Sequence, residues 1–262
     1  MNLHADEIES ILRQAGKLLL SSQAKQVEKK TGDANFVTEW DVTIQKFLQE
    51  KLSELFPEAA FFGEEDTEGN LHGLGKGYTF IIDPIDGTTN FIFGYRHSCI
   101  SVALALGEEL VAGFVYNPYS EELFRGQKGQ GAYLNGQRLV MENREVSRGI
   151  VSFGCARYQA TDIDHLFSVV KELFFRSLSI RDGGSAAIDL CRVSSGSNVA
   201  YLELKLQPYD FAAAALLIRE AGGIITQLDG SPVTLDQPCS ILAGTPAAHR
   251  EILDLYSSWQ QS

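Results

Sequence analysis

The chain has 262 residues, 44% of them hydrophobic and 21% charged, which suffices for one large domain or two packed halves and excludes wholesale disorder. Its 22 Lys+Arg against 34 Asp+Glu leave a formal charge of −12, so the surface repels phosphate backbones and direct nucleic-acid binding is disfavoured. Cys99, Cys155, Cys191 and Cys239 lie far apart with no C-x-x-C pair, which argues against a zinc ribbon or redox motif and makes each a small buried hydrophobe. Glu7, Glu9 and Arg13 interrupt the first segment, and no apolar run approaches the ~18 residues that span a bilayer, so a cytoplasmic chain without membrane contact is expected.

Ile8, Ile11, Leu12, Ala15 and Leu19 recur at helical spacing. A polar stretch around Lys30 separates this helix from a second one following Asp41, whose stripe is Ile44, Phe47, Leu48, Leu52 and Leu55 and which stops near Pro57. Tyr78 to Ile82 reads as a buried strand ending at Asp83-Pro84. Ile100 to Leu106, Leu110 to Tyr116, a short strand near Leu123 and a hairpin turning at Asn135-Gly136 form an antiparallel meander, which argues against a purely parallel sheet. Thereafter helix-like and strand-like pieces alternate: Ile163 to Phe175, Ser185 to Val193, Val199 to Leu204, Phe211 to Ala221 and Ile224 to Leu228. The pattern predicts an α+β chain in mixed layers, residues 1–262 forming one domain of two packed halves with a seam near residue 145.

Three acidic stretches carry the chemistry. In Asp83-Pro84-Ile85-Asp86-Gly87-Thr88-Thr89-Asn90, two acids leave the carboxyl end of an apolar strand, where open sheets place their sites. A turn at Gly87-Thr88-Thr89 aims backbone N–H groups at an anion, although Asp-Pro and Asp-Gly are also ordinary turn dipeptides. Glu64-Glu65-Asp66 follows an apolar pair, and read alone it is a solvated loop. Asp210 precedes the apolar run Phe211 to Leu217, where read alone it is a helix cap. Together Glu64, Asp83, Asp86 and Asp210 supply the oxygen ligands that hard divalent cations require. The motifs of a protein nucleophile, G-x-S-x-G, the P-loop and H-E-x-x-H, are absent, and His4, His72, His97, His165 and His249 are scattered.

With Asp41, Gly63-Glu64-Glu65, Asp83 through Phe91, and Asp210 followed by Glu220-Ala221-Gly222-Gly223, the sequence resembles the inositol monophosphatase family of lithium-sensitive, magnesium-dependent phosphatases from the first helix to about Gly244. The resemblance implies a layered αβαβα sandwich, a homodimer, and two or three Mg2+ per site. It makes Glu64, Asp83 and the Ile85 carbonyl ligands of a first ion, and Asp83, Asp86 and Asp210 ligands of a second. A weaker third ion sits near Glu64. It gives the ester phosphate to the backbone of Gly87 and Thr88. It also makes Thr88, assisted by Glu64 and steadied by Asp41, the group that orients a metal-activated water. Lys30 falls in the family's lid.

On the substrate side the resemblance points to Arg181, Ser185, Ala186 and Glu203 as the polyol wall, beside Asp86 and Asp210. Glu203 is then an acceptor for neutral ring hydroxyls; read alone it is an outward charge on a strand. Ser185 replaces a threonine of some relatives, and Tyr209 a tryptophan. The expected reaction is hydrolysis of a small polyol phosphate monoester, inositol monophosphate foremost. Fructose 1,6-bisphosphate or phosphoadenosine phosphate hydrolysis on the same metal core are the alternatives, and a non-catalytic interaction role is the reading from another class.

Overall fold

The computed structural model of the chain describes residues 3–21, 27–29, 36–66, 74–155 and 163–259. Helix α1 (Ala5–Ser21) is followed by a two-stranded antiparallel ribbon, β1 (Val27–Lys29) and β2 (Phe36–Thr38), and by helix α2 (Glu39–Leu55). Seven strands then form a sheet in chain order: β3 (Ala60–Gly63), β4 (Tyr78–Asp86), β5 (Cys99–Leu106), β6 (Glu109–Asn117), β7 (Glu122–Gln127), β8 (Gly131–Leu134) and β9 (Gln137–Leu139). Only β3 and β4 pair in parallel; the rest is the expected antiparallel meander, with Asn135 and Gly136 both at positive φ in the last hairpin. The short helix α3 (Thr88–Ile92) joins β4 to β5.

A second sheet has the order β11-β10-β12-β14-β13. Its strands are β10 (Ile150–Phe153), β11 (Ser179–Arg181), β12 (Asn198–Leu206), β13 (Ile224–Thr226) and β14 (Cys239–Gly244), interleaved with helices α4 (Ile163–Arg176), α5 (Ala186–Ser194), α6 (Pro208–Glu220) and α7 (Pro246–Trp259). The chain crosses between the sheets after Leu139, where Met141 N donates to Ala221 O at 2.9 Å.

Period-two alternation builds the layers. Phe80 and Ile82 of β4, with Val102, Leu104 and Phe114, face Ile8 and Leu12 of α1 and Ile44 and Leu48 of α2. Ile81, Ala103, Val115 and Phe124 point to the other side, against α5, α6 and the inner face of the second sheet at Tyr201 and Ile241. The outer face of that sheet, at Ala200, Leu202 and Leu242, packs on Leu166 of α4 and Ile252 of α7. The result is the five-layer αβαβα sandwich. Among the described residues no helix is long and apolar enough to cross a membrane.

The middle layer explains why α6 is so apolar. Every residue from Phe211 to Ile218 is buried, because sheets lie on both sides of it. Ala212 to Ala215 keep the helix slim, and β6 closes on it so tightly that a Cβ on Gly113 would stand 2.5 Å from the Ala213 carbonyl oxygen.

Several boundaries differ from expectation. Helix α6 opens at Pro208 and not at Phe211, so Asp210 lies inside its first turn and Gln207 is the N-cap. Helix α2 starts at Glu39 and not after Asp41, which puts Asp41 inside its first turn and buries it. Strand β4 runs on through Asp83 to Asp86. Strands β3, β10, β11 and β14 and helix α7 have no counterpart in the sequence expectations. For α7 the signal was present: Pro246 opens it and Ala248, Ile252 and Tyr256 recur at helical spacing.

Gly113→Ala is expected to force β6 from α6 and to destabilise the fold by ~1–3 kcal/mol, the usual cost of overpacking. Chemical denaturation reads this as a lower midpoint at unchanged slope; an unmoved midpoint would contradict the close approach.

Candidate active site

The end of β4 builds the centre. Asp83 stands opposite Ser101 and Asp86 opposite Cys99, so three steps on β4 match two on β5. In a regular strand residues three apart point to opposite faces, and the extra residue of this bulge brings Asp86 back to the α6 side beside Asp83. Pro84, which has no N–H to give, occupies the bulge, and Ile85 N donates to Asp83 Oδ1 at 3.0 Å. Asp210 arrives from the first turn of α6, where its Oδ2 accepts from Gln207 N at 2.7 Å. Carboxylate oxygens of Asp83, Asp86 and Asp210 lie within 4.8 Å of one another.

Glu64 joins them from β3. Its N–H donates to Ile82 O at 3.1 Å, which extends the β3–β4 ladder by one step and sets Glu64 next to Asp83. The turn behind it is tied down by Gln45, which sequence reasoning missed, and by Asp66, which the sequence alone reads only as part of an acidic, solvated loop. Gln45 Nε2 donates to Asp66 Oδ1 at 2.8 Å, Gln45 Oε1 accepts from Glu65 N at 3.0 Å, and Asp66 Oδ2 accepts from Gly63 N at 2.7 Å. A signal existed: Gln45 sits beside Ile44 and near Leu48 on the buried face of α2, where an amide needs partners.

Burial, then the charges of Glu64, Asp86, Asp210 and Asp41, push the Asp83 carboxyl well above the usual range. Burial, then Asp86 and Glu64, do the same to Asp210. Burial also raises Asp86, against the opposing hydrogen bonds of the Ser185 hydroxyl, Ala187 N at 2.9 Å and the Cys99 thiol. Among the described residues, the largest influences on all three are desolvation, hydrogen bonds and neighbouring acids. A buried, oxygen-only donor set of this kind fits a hard divalent cation.

Around the acids stand the expected contacts. The Thr88 hydroxyl donates to Ile85 O at 3.1 Å and lies 3.4 Å from Asp41 Oδ1. Gly87 is left-handed at φ 86°, and a Cβ there would come within 3.0 Å of His97 O and 3.1 Å of Gly184 O. Ser185 caps α5, accepting from Ile188 N at 3.4 Å, while its hydroxyl donates to Asp86, and Ala186 opens that helix. Glu203 is not an outward charge: it is 6% exposed, faces the middle layer like Tyr201, and takes a hydrogen bond from the Tyr201 hydroxyl. Burial, aided by the charges of Asp86, Asp182 and Asp189, pushes its carboxyl up to about 8, so it is mostly protonated at neutral pH. Arg181 is exposed, and its guanidinium is engaged by its own strand, at the Ser179 hydroxyl and at Ile180 O, 2.8 Å away. Lys30 lies outside the described residues.

Comparison with known proteins places this geometry. The sequence pattern of the inositol monophosphatase family matches residues 4–261. The chain belongs to that family. It is 34% identical to a fructose-1,6-bisphosphatase/inositol-1-monophosphatase of Aquifex aeolicus, over 97% of this chain and 96% of the relative. Identity to the inositol-1-monophosphatase of Bacillus subtilis is 33%, covering 94% and 93%. Among solved structures, the IMPase of Thermotoga maritima superposes with a TM-score of 0.88 at 28% identity, covering 100% of this chain and 99% of that one. The protein is thus a phosphoric monoester hydrolase of a metal-dependent family, and Asp83, Asp86 and Asp210 form an acid cluster that could hold a metal ion.

The other titratable groups are structural by comparison. Burial pushes the Cys99 and Cys191 thiols well up, which keeps them un-ionised. His249 is a satisfied core histidine, its Nε2 lying 2.8 Å from the Thr226 hydroxyl.

The raised acids make metal-free stability depend on pH. Asp189 is pushed up to about 7 and Glu203 to about 8, mainly by burial, with Asp83 and Asp210 also raised, whereas unfolded carboxyls titrate near about 4. Between these values the folded state holds more protons than the unfolded one, so stability is greatest below about 4 on this account and falls as pH rises through about 8. Chelator-treated protein is expected to melt at lower temperature at pH 8 than at pH 5.5, with magnesium narrowing the gap. A melting temperature that climbs across this window without metal would contradict the assignment.

Proposed function

We propose that the protein hydrolyses small polyol phosphate monoesters, inositol monophosphate foremost, with magnesium as its working ion. The observation that carries this is the convergence of Asp83, Asp86 and Asp210 within 4.8 Å, with Glu64 alongside, in a member of a phosphatase family. Glu64, Asp83 and the Ile85 carbonyl would hold one ion, and Asp83, Asp86 and Asp210 a second. Bound there, the ions supply positive charge to the phosphate dianion and acidify the attacking water.

The chain's own residues do the rest. Gly87 and Thr88 offer backbone N–H groups to the phosphate, on a turn that leaves a left-handed residue for a right-handed one. The Thr88 hydroxyl, between Ile85 O and Asp41 Oδ1, orients a water, and Glu64 accepts its proton. Ser185, Ala186 and Glu203 line the polyol side. A mostly protonated Glu203 can donate to a ring hydroxyl as well as accept from one, which suits a neutral polyol. Family resemblance further supports a cytoplasmic homodimer.

A second reading, hydrolysis of fructose 1,6-bisphosphate at the same centre, draws support from the double name of the Aquifex relative. It also draws support from Glu203, since a neutral carboxyl does not repel a second phosphate at pH 7.

Purified protein is expected to release phosphate from inositol 1-phosphate with magnesium and to stop on chelation. Asp86→Asn should nearly abolish turnover while leaving the circular dichroism spectrum intact. Retention of most activity by that variant at saturating magnesium would overturn the metal-site reading.

Selectivity should follow the ionisation of Glu203. As pH rises from 7 to 9, through about 8, a growing negative charge at Glu203 disfavours the bisphosphate, so the kcat/KM ratio of monophosphate to bisphosphate rises. Glu203→Gln should flatten that rise; the same slope in the variant would remove Glu203 as selector.

A further inference from the structure

The reading above places the phosphate on a turn of the first sheet and the polyol against a loop of the second. Gly87 and Thr88 follow β4, whereas Ser185 and Ala186 follow β11. Two chain segments nearly a hundred residues apart must therefore keep a fixed gap if one ester is to span them.

Asn90 bridges that gap. It lies on α3, three residues beyond Gly87, and its side-chain Nδ2 donates to two carbonyl oxygens at once. One is His97 O at 2.7 Å, in the segment returning to β5, and the other is Gly183 O at 2.9 Å, in the loop before Ser185. Both partners are acceptors only, so the amide orientation is dictated by chemistry. Tyr95 N donates to Asn90 O at 2.8 Å, which fixes the backbone of the same residue. The neighbouring glycines both have positive φ and little room: a Cβ on Gly184 would lie 3.1 Å from Asn90 Nδ2, and one on Gly87 would lie 3.0 Å from His97 O and 3.1 Å from Gly184 O.

Gly183 is held from the opposite side as well. Its N–H donates to Oδ2 of Asp189 at 3.1 Å, and Asp189 is a buried carboxyl on α5. Asn90 from the first sheet and Asp189 from the middle layer thus grip the two polar atoms of one residue. Gly184 N, next in line, is taken by Asp182 Oδ1 at 3.2 Å. Ser185 then donates to Asp86, so the gripped loop ends on the acid cluster.

We propose that Asn90 and Asp189 are positioning residues that act through Gly183 to set the distance between the phosphate turn and the polyol loop. They thereby determine how well the ester is held, and not how well phosphate alone is held. The inference rests on the assignment of Gly87, Thr88, Ser185 and Ala186 as substrate contacts. Inorganic phosphate touches only the turn and the ions, whereas inositol 1-phosphate must reach both sides.

The test uses the full-length, magnesium-loaded protein with Asn90→Ala, Asp189→Ala, their combination, and Asp189→Asn. Loss of one such hydrogen bond is worth roughly two- to tenfold in binding. KM for inositol 1-phosphate is expected to rise by that factor in each alanine variant, with Ki for inorganic phosphate within twofold of wild type. The double variant should lose less than the product of the single losses, because both act on Gly183. Asp189→Asn keeps an acceptor for Gly183 N and should behave as wild type. Parallel rises in KM and phosphate Ki, or no rise in KM, would overturn the proposal. Amide hydrogen exchange gives a second reading that needs no turnover: Gly183 and Gly184 should exchange faster in the alanine variants while β4 and α6 stay protected. If wild type cleaves no polyol phosphate, the functional assignment fails, and unchanged exchange at Gly183 would separately refute the clamp. Should Asn90→Ala not fold, Asp189→Ala carries the same comparison alone.

Discussion

Mutual repulsion among buried carboxylates is the constraint around which this molecule is organised. Asp83, Asp86 and Asp210 are drawn within 4.8 Å where desolvation and like charge both oppose ionisation. A flexible chain would relieve this by moving the acids apart. Here each is fixed by an element that cannot move alone: β4 is buried along nearly its whole length, and α6 is enclosed between two sheets. Local hydrogen bonds complete the restraint, from Ile85 N to Asp83, from Gln207 N to Asp210, and from Ser185 and Ala187 to Asp86. A carboxylate set assembled in advance in this way would need no reorganisation on binding an ion.

Much of this was legible in the sequence. The helical stripes of α1 and α2, the antiparallel meander and the apolar run of α6 follow from residue periodicity. The acids were legible because the Asp83 to Asn90 motif is specific. Their convergence was not, because it depends on the bulge at Pro84-Ile85, which reverses the direction a regular strand would give Asp86. Short strands such as β11, with three residues, carry too little pattern to distinguish them from loop. That Gln45 and Asp66 together hold the Glu64 turn is not legible, because the two stand twenty-one residues apart and only the fold brings them together. Glu203 is expected at the polyol only through the resemblance, and its charge state is not legible in the sequence, since burial and not residue type decides it.

The chain's net charge of −12 and its anionic substrate pose a conflict that the layout resolves locally. On the proposed function, bound cations would offset the charge of Asp83, Asp86 and Asp210, while burial pushes the flanking acids Asp189 and Glu203 toward neutrality. On the same proposal, a phosphate dianion would then meet metal charge and backbone N–H groups, and the polyol end would meet groups that hydrogen-bond without bearing full charge, so that electrostatics sorts the two ends of the substrate.

Ser185 shows how closely metal and substrate functions are joined. Its hydroxyl donates to Asp86 and also accepts from Ile188 N, so a single atom caps α5 and steadies a metal ligand. Two residues earlier the same loop is gripped at Gly183, and one residue later, at Ala186, helix α5 begins. A displacement of Ser185 itself would loosen its hold on Asp86 and shift the start of α5 together. Placing the site where α5 and α6 begin, between the two sheets, lets rigid elements on both sides resist that displacement. A site on one sheet alone would have had a rigid metal half and a loose substrate half. The five-layer stack gives both halves a common mount, which is why the middle layer, and α6 in particular, is packed without room for a single added methyl group at Gly113.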